Sequence, residues 1–243
     1  MLYKTEAIVI KHRTMRGADK VVTLFSREFG KLDAAAYGAK KSKSKKRGVI
    51  EPLNHTSFVL RKGKNLDSIT QCEIITLFYN LRSELNRLKK ALYICELTGD
   101  LIAKGEPNEP LFILLLTTLK WLNSKDINGA ALDKMVAGFE IKALGLSGYM
   151  PELTRCVNCG RALQPFKFSY QMGGILCAEC ADVDEKAHFI NQQIVSYIKQ
   201  MLIVKPGKLK DIDITQNNFR QIKDIFNSFI IYHVTEVGRR KIL

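Results

Sequence analysis

Two short patterns in this chain could do chemistry. The first is a set of cysteines: CVNC at 156–159 and CAEC at 177–180 form two C-x2-C pairs with 17 residues between them. Each pair can wrap two thiolates around one side of a metal ion, and FKFSY and GGIL between them can form the hairpin that brings the pairs together. Cys156, Cys159, Cys177 and Cys180 would give four soft ligands in a tetrahedron, a set that suits Zn²⁺ at metal–sulfur distances of about 2.3 Å. Two disulfides or a redox pair are the competing readings, but a redox C-x2-C stands alone at a strand-to-helix junction. Four thiolates leave no position for substrate or activated water, so one structural ion is expected, contributing folding free energy to a segment with little core of its own. Gly160 and Gly174 suit the tight backbone of such knuckles. His188 is not needed as a ligand, and Cys72 and Cys95, among apolar neighbours, read as core residues.

The second pattern is AKKSKSKKRG at 39–48, where Lys40, Lys41, Lys43, Lys45, Lys46 and Arg47 fill six of eight consecutive positions. It sits in a basic chain: 38 Lys and Arg against 24 Asp and Glu leave +14, and residues 1–80, with 16 against 7, carry +9 of it. Such a balance raises the local concentration of polyanions. The N-terminus has no long apolar core or small-residue cleavage site, and LFILLLTTLKWL is too short to span a bilayer. A soluble protein of the cytoplasm is expected, with no membrane partner. No G-x-x-x-x-G-K-[ST], G-x-G-x-x-G, H-E-x-x-H or G-x-S-x-G occurs. The acidic residues are dispersed, with DVDE at 182–185 read as a solvated boundary, so the chain is not expected to be an enzyme.

The elements that must carry these patterns change period along the chain. KTEAIVIKH, KVVTLFS and LDAAAYG read as three strands, and two more flank the turn RKGKN after the lysine-rich stretch. Five short strands favour a small closed barrel, because closure removes exposed edges. Helical spacing follows: residues 84–103 with Leu85, Leu88, Leu92, Cys95, Gly99 and Ile102 as the apolar stripe, then LFILLLTTLKWLN, ALDKMVAGFEIKALGL and, after the cysteines, two further helices. Gly105, Pro107 and Pro110 are expected to end the first of these helices. The fold class is α+β and multidomain: a β-barrel at 1–80, helices at 81–148 and 184–243, and the four-cysteine module inserted at 149–183.

RGADKVVTLFSREFGKLDAAAYGAKKSKSK, residues 16–45, resembles the first domain of the bacterial recombination mediator family RecO, in which a turn, a strand, a Gly-Lys turn, a strand and a basic stretch follow in this order. GYMPELTRCVNCG, residues 148–160, closely resembles the approach to that family's zinc module, and the order of elements matches over essentially the whole chain. The resemblance implies an N-terminal OB-fold, a helical domain and a zinc finger whose ligand positions match Cys156, Cys159, Cys177 and Cys180 one by one. It also implies binding of single- and double-stranded DNA, annealing of complementary strands, and action with RecR to load RecA onto DNA covered by single-strand-binding protein. No catalytic residues carry over, and association with the nucleoid is expected. Lys20 stands where Arg is common and the basic stretch is rich in Lys and Ser, so phosphate would be held by point charges and not by bidentate forks.

An OB barrel binds single strands with a basic groove and aromatic faces. Besides the lysine stretch, treated as a flexible loop, Lys11, Arg13, Arg16, Lys20, Arg61, Lys62 and Lys64 flank strand ends and are candidate DNA contacts. Tyr37, Phe25 and Phe58 lie in apolar strand stretches and are expected in the core. The helical part, with Lys89, Lys90, Lys120, Lys134, Lys142, Arg220 and Lys223, could take the acidic tail of single-strand-binding protein, as the resemblance implies. A zinc-ribbon RNA-binding or transcription-associated module is the alternative that needs the same charge and cysteines.

Overall fold

Period-two sequence with one apolar face must close on itself or find a cover, and here it does both. The computed structural model describes residues 1–15, 17–127, 129–162 and 166–234, so Arg16 lies outside the described residues. The first five strands are β1 (Leu2–Thr14), β2 (Lys20–Ser26), β3 (Gly30–Ala36), β4 (His55–Arg61) and β5 (Asp67–Thr76). They close into a barrel in the order β1-β2-β3-β5-β4, the arrangement of an OB-fold. All neighbours are antiparallel except β3 and β5, which share only Ala34↔Asp67 and Ala35↔Ser68 in parallel. Val9, Val22, Leu24, Leu32, Phe58 and Leu60 fill the interior.

The helices that follow are α1 (Tyr79–Ser83), α2 (Leu85–Leu101), α3 (Glu109–Leu122) and α4 (Gly129–Leu146). α2 and α3 lie on the outer face of the barrel. Phe25 of β2 meets Phe112 of α3 edge to face at 5.6 Å, and a Cβ on Gly99 of α2 would come within 3.3 Å of Ile10. Lys31 Nζ donates to Gly99 O at 2.5 Å, and Gly105 N donates to Lys31 O at 2.9 Å, fastening the α2–α3 connection along β3. Gly30 has no alternative: with φ +66, a Cβ there would lie 2.0 Å from Glu106 O. α2 ends at Leu101, before Gly105, whereas Pro110 sits in the first turn of α3 behind an Asn108 cap that accepts from Leu111 N at 3.0 Å.

The apolar stripe expected on α2 is corrected. Leu85 and Leu92 are exposed, and the buried side is Arg87, Ala91, Ile94, Cys95, Thr98 and Leu101. An arginine faces the core because the end of α3 supplies acceptors: Arg87 Nη1 donates to Leu122 O (2.8 Å) and Ser124 O (2.7 Å), Nη2 to Ile127 O, and Nε to Glu84 (2.6 Å). One guanidinium thus satisfies carbonyls that the helix end leaves open.

The chain parts into two compact units between Phe139 and Glu140, within α4. The second unit holds a three-stranded sheet, order β7-β6-β8, of β6 (Phe166–Ser169), β7 (Gly174–Leu176) and β8 (His188–Ile190), followed by α5 (Gln192–Ile203) and α6 (Gln216–His233). The expected hairpin is β6–β7, and β8 adds a third strand to it. Asn191 and Thr215 cap the two helices, and Phe168 packs on Phe229 of α6 at 6.2 Å. Replacing Arg87 with Ala strands three carbonyls in the first unit, and urea unfolding should record a loss of about 3 kcal/mol. Arg87→Lys should recover only part of it, since one ammonium cannot span the same carbonyls.

Candidate metal centre and nucleic-acid interface

The four cysteines converge. Cys156 enters from the segment before β6, Cys159 follows in the knuckle, and Cys177 and Cys180 bracket the short 3-10 turn after β7. Their Sγ atoms all lie within 4.8 Å of one another, with Cys159 and Cys177 at 3.6 Å. A tetrahedron with metal–sulfur bonds of about 2.3 Å separates its sulfurs by roughly 3.8 Å, so the set fits one ion. Gly160, at φ +76, makes the first knuckle, with Gly160 N bonded to Cys156 O at 2.9 Å. Gly174 has a different duty: a Cβ there would lie 2.6 Å from both Glu152 O and Val157 Cγ1, so it lets the segment leading into the first knuckle pack on β7.

Electrostatics explains why this cluster calls for a cation. Burial pushes the Cys156 thiol up, but the N–H groups of Cys177, Cys159 and Asn158 outweigh it and hold it down at about 6. At Cys180 the Asn158 amide favours the thiolate, donating to Sγ at 3.3 Å, yet burial and the three neighbouring sulfurs push the thiol up to about 11. Four thiolates at this spacing repel one another unless a cation lies between them. His188 is on β8 with its ring stacked on Tyr170, outside the cysteine set. DVDE is not a solvated boundary throughout: Asp184 is buried and accepts from Ser169 Oγ at 2.6 Å and Lys186 N at 2.9 Å, bracing the module.

At the barrel, the expected loop is a run of tight turns. Lys41 N bonds Gly38 O, Ser44 N bonds Lys41 O, Arg47 N bonds Ser44 O and Ile50 N bonds Lys46 O, all at 3.0–3.3 Å. Ala39 and Ile50, both fully buried, plug the segment into the barrel core. Its far end is tied to β1 by Leu53 N→Val9 O and Val9 N→Asn54 O at 2.9 Å, bonds that hold Leu53 at φ +75. Lys40, Lys41, Lys43, Lys45 and Arg47 are exposed, whereas Lys46 folds back and donates to Ile69 O at 2.6 Å.

The segment touches two other turns. Lys40 N donates to Ala18 O at 2.9 Å and Gly38 N to Asp19 Oδ1 at 2.7 Å in the β1–β2 turn, and the Lys46 bond reaches β5 just past the β4–β5 turn. Beside those turns stand exposed Arg13 at the end of β1 and, on the other side, Arg61 at the end of β4 with Lys62 and Lys64 in the turn itself, while Lys11 is exposed further down β1. Lys20 is different, because Glu51 Oε1 at 3.2 Å and His12 Nε2 at 3.1 Å hold its ammonium, and its side chain is only 14% exposed. Phe25 and Phe58 are buried as expected, but Tyr37, next to the lysines, is 56% exposed and is corrected from core to surface.

Comparison with known proteins gives this geometry a family. The model of the Recombination protein O N-terminal domain matches residues 1–78, and that of the Recombination protein O C-terminal domain matches residues 82–241. The chain belongs to the RecO family. Proteins named DNA repair protein RecO from Desulforamulus reducens and Pelotomaculum thermopropionicum are each 36% identical to it, over 96% of this chain and 90% of theirs. One from Desulforudis audaxviator is 34% identical over 98% and 94%. In this RecO-family chain, Glu51 as the partner of Lys20 and His12, and the pairing of half-buried Tyr3 with exposed Phe29 near the β4–β5 turn, escaped the sequence reading. Phe29 alone left a sign, as an aromatic residue in the polar turn REFGK.

Protons compete with metal for thiolates, so occupancy of the cysteine site should fall as pH drops from 7.5 to 5. Metal release followed with a chromophoric chelator is expected to rise over that range, and Cys177→Ser should release its ion at higher pH than the wild type.

Proposed function

We propose that this protein is a DNA-repair and recombination mediator that binds single- and double-stranded DNA without regard to sequence and anneals complementary strands. Acting with RecR, it helps load RecA onto single strands coated by single-strand-binding protein, through that protein's acidic tail. One observation carries the reading: the five exposed cations of 40–47 lie on a segment hydrogen-bonded to the β1–β2 turn and, through Lys46, to β5, beside exposed Arg13, Arg61, Lys62 and Lys64. The names of its relatives support the repair assignment. In this reading residues 1–80 bind DNA, 81–148 with 184–243 form the helical domain, and 149–183 form the zinc module. The protein works in the cytoplasm at the nucleoid, and among the described residues no helix is long and apolar enough to cross a membrane.

The cationic end explains annealing physically. Two DNA strands repel through their phosphates, and a dense array of lysines lowers that cost while gripping no base. Lysines suit the task because each ammonium is a compact charge on a flexible stem, with no fixed fork to impose one geometry. Cys156, Cys159, Cys177 and Cys180 would hold Zn²⁺, which orders the module and leaves no open coordination position.

Replacing Lys40, Lys41, Lys43, Lys45 and Arg47 with Gln, while sparing the anchoring Lys46, tests the site. Affinity for all sequences should fall alike, and the slope of log K against log salt for single strands should flatten by up to about 3.5. An unchanged salt slope in a fluorescence titration excludes the segment as the DNA site.

A further inference from the structure

The β4–β5 turn has a second side, away from the lysine segment. There a cleft of about 530 Å³ opens between residues 62–67, β3 and the α2–α3 connection, lined among others by Tyr3, Phe29, Lys62, Lys64, Leu66 and Lys104. Phe29, in the β2–β3 turn, is 42% exposed, an unusual place for a phenyl ring. Tyr3 meets it edge to face at 4.9 Å, and the Tyr3 hydroxyl is fixed by donation to Asp67. The aromatic pair is therefore rigid and still leaves ring surface open to the cleft.

The charges around it are unequally available. Glu28 accepts from Thr5, Asp33 from Thr23 at 2.7 Å, and Asp67 from Tyr3 and from Gly63 N at 3.0 Å. Each of the three carboxylates thus has a donor within the protein, and Asp33 also pairs with Lys104 at 3.7 Å. Lys62 is exposed, 3.9 Å from Asp67, and Lys64 is exposed with no carboxylate partner among the described residues. The turn that presents them is tight, for a Cβ on Gly63 would lie 2.0 Å from Leu66 O. A rigid aromatic pair with ammonium groups at its lip is what a flipped-out base and its phosphate require.

We propose that this cleft receives one unpaired nucleobase of a single strand, stacked on Phe29, with the adjoining phosphate held by Lys62 and Lys64. The inference rests on the DNA-binding reading above and deepens it. Asp67, which lines the cleft, lies two residues before Ile69, whose carbonyl anchors Lys46. Two residues of strand span about 7 Å, so a backbone held at the lysine segment can drop a base into the cleft. A duplex cannot use it, because both faces of each paired base are covered in the stack. The lysine segment would then hold either form of DNA, and the cleft would favour the unpaired one.

The test compares the full-length wild type with Phe29→Ala on oligo(dT) and on a duplex of equal length, with thermal unfolding as the control for folding. Affinity for oligo(dT) should fall about fivefold or more, and duplex affinity should stay within about twofold. Phe29→Trp, which keeps a stacking face, should restore oligo(dT) binding, and 2-aminopurine placed in the oligonucleotide should be quenched by wild type and Phe29→Trp but not by Phe29→Ala. Single-strand affinity and quenching unchanged in Phe29→Ala, or equal losses on both DNA forms, would overturn the cleft as a base site while leaving the cationic end intact. A wild-type protein that binds neither form overturns both readings together.

Discussion

Phe25 against Phe112, with Ile10 facing Gly99 beside it, is the contact on which the first unit turns. An OB barrel commonly offers the outer face of its second and third strands to nucleic acid. Here α2 and α3 cover that face, and Lys31 binds the α2–α3 connection along β3. Burying the aromatic pair stabilises the unit by an amount on the order of a few kcal/mol. It also removes the broad face from solvent and leaves the turn end of the barrel as its open basic surface, and that is where the cations gather.

Placing six cations in eight positions has an electrostatic cost, and the structure manages it by anchoring the segment while leaving most of its charges in water. Exposed charges are screened within about 8 Å at physiological salt, so their mutual repulsion is modest. Ala39 and Ile50 supply apolar anchors, Lys46 gives its ammonium to Ile69 O, and Glu51 closes the segment on Lys20 and His12. Burial tends to raise the Glu51 carboxyl, but these two partners outweigh it and keep the group ionised further into acid. The segment is therefore a fixed platform with free side chains, and in the proposed annealing role strands would meet it without the protein having to order a loop first.

The four-cysteine module depends on a similar balance. Its small core, with Leu176 beside the cysteines, cannot by itself offset the entropy of ordering a short irregular segment. The ligand cluster lies between backbone N–H groups that favour thiolate and neighbouring sulfurs that oppose it. A divalent cation would resolve that conflict and tie both knuckles together. The Ser169–Asp184 bond and β8 extend the ordered region beyond the hairpin.

Much of this was legible in one dimension. The cysteine spacing marked the four residues whose sulfurs converge, and period-two runs marked the barrel because each has one face to bury. Local composition also marked the lysine segment, since no apolar residue lies within 40–47 to be hidden. What sequence could not resolve were features created by distant partners. Arg87 faces the core only because the end of α3 brings it carbonyls, and Leu85 and Leu92 are outside for the same reason. Lys20 and Lys46 read like their neighbours but are tied to Glu51 and Ile69, while Tyr37 reads as strand core but stands in solvent. Residue type and spacing determined which chemistry the chain could support. Only the tertiary structure, by supplying acceptors and by covering one barrel face with helices, decided which charges and rings remain free to meet a ligand.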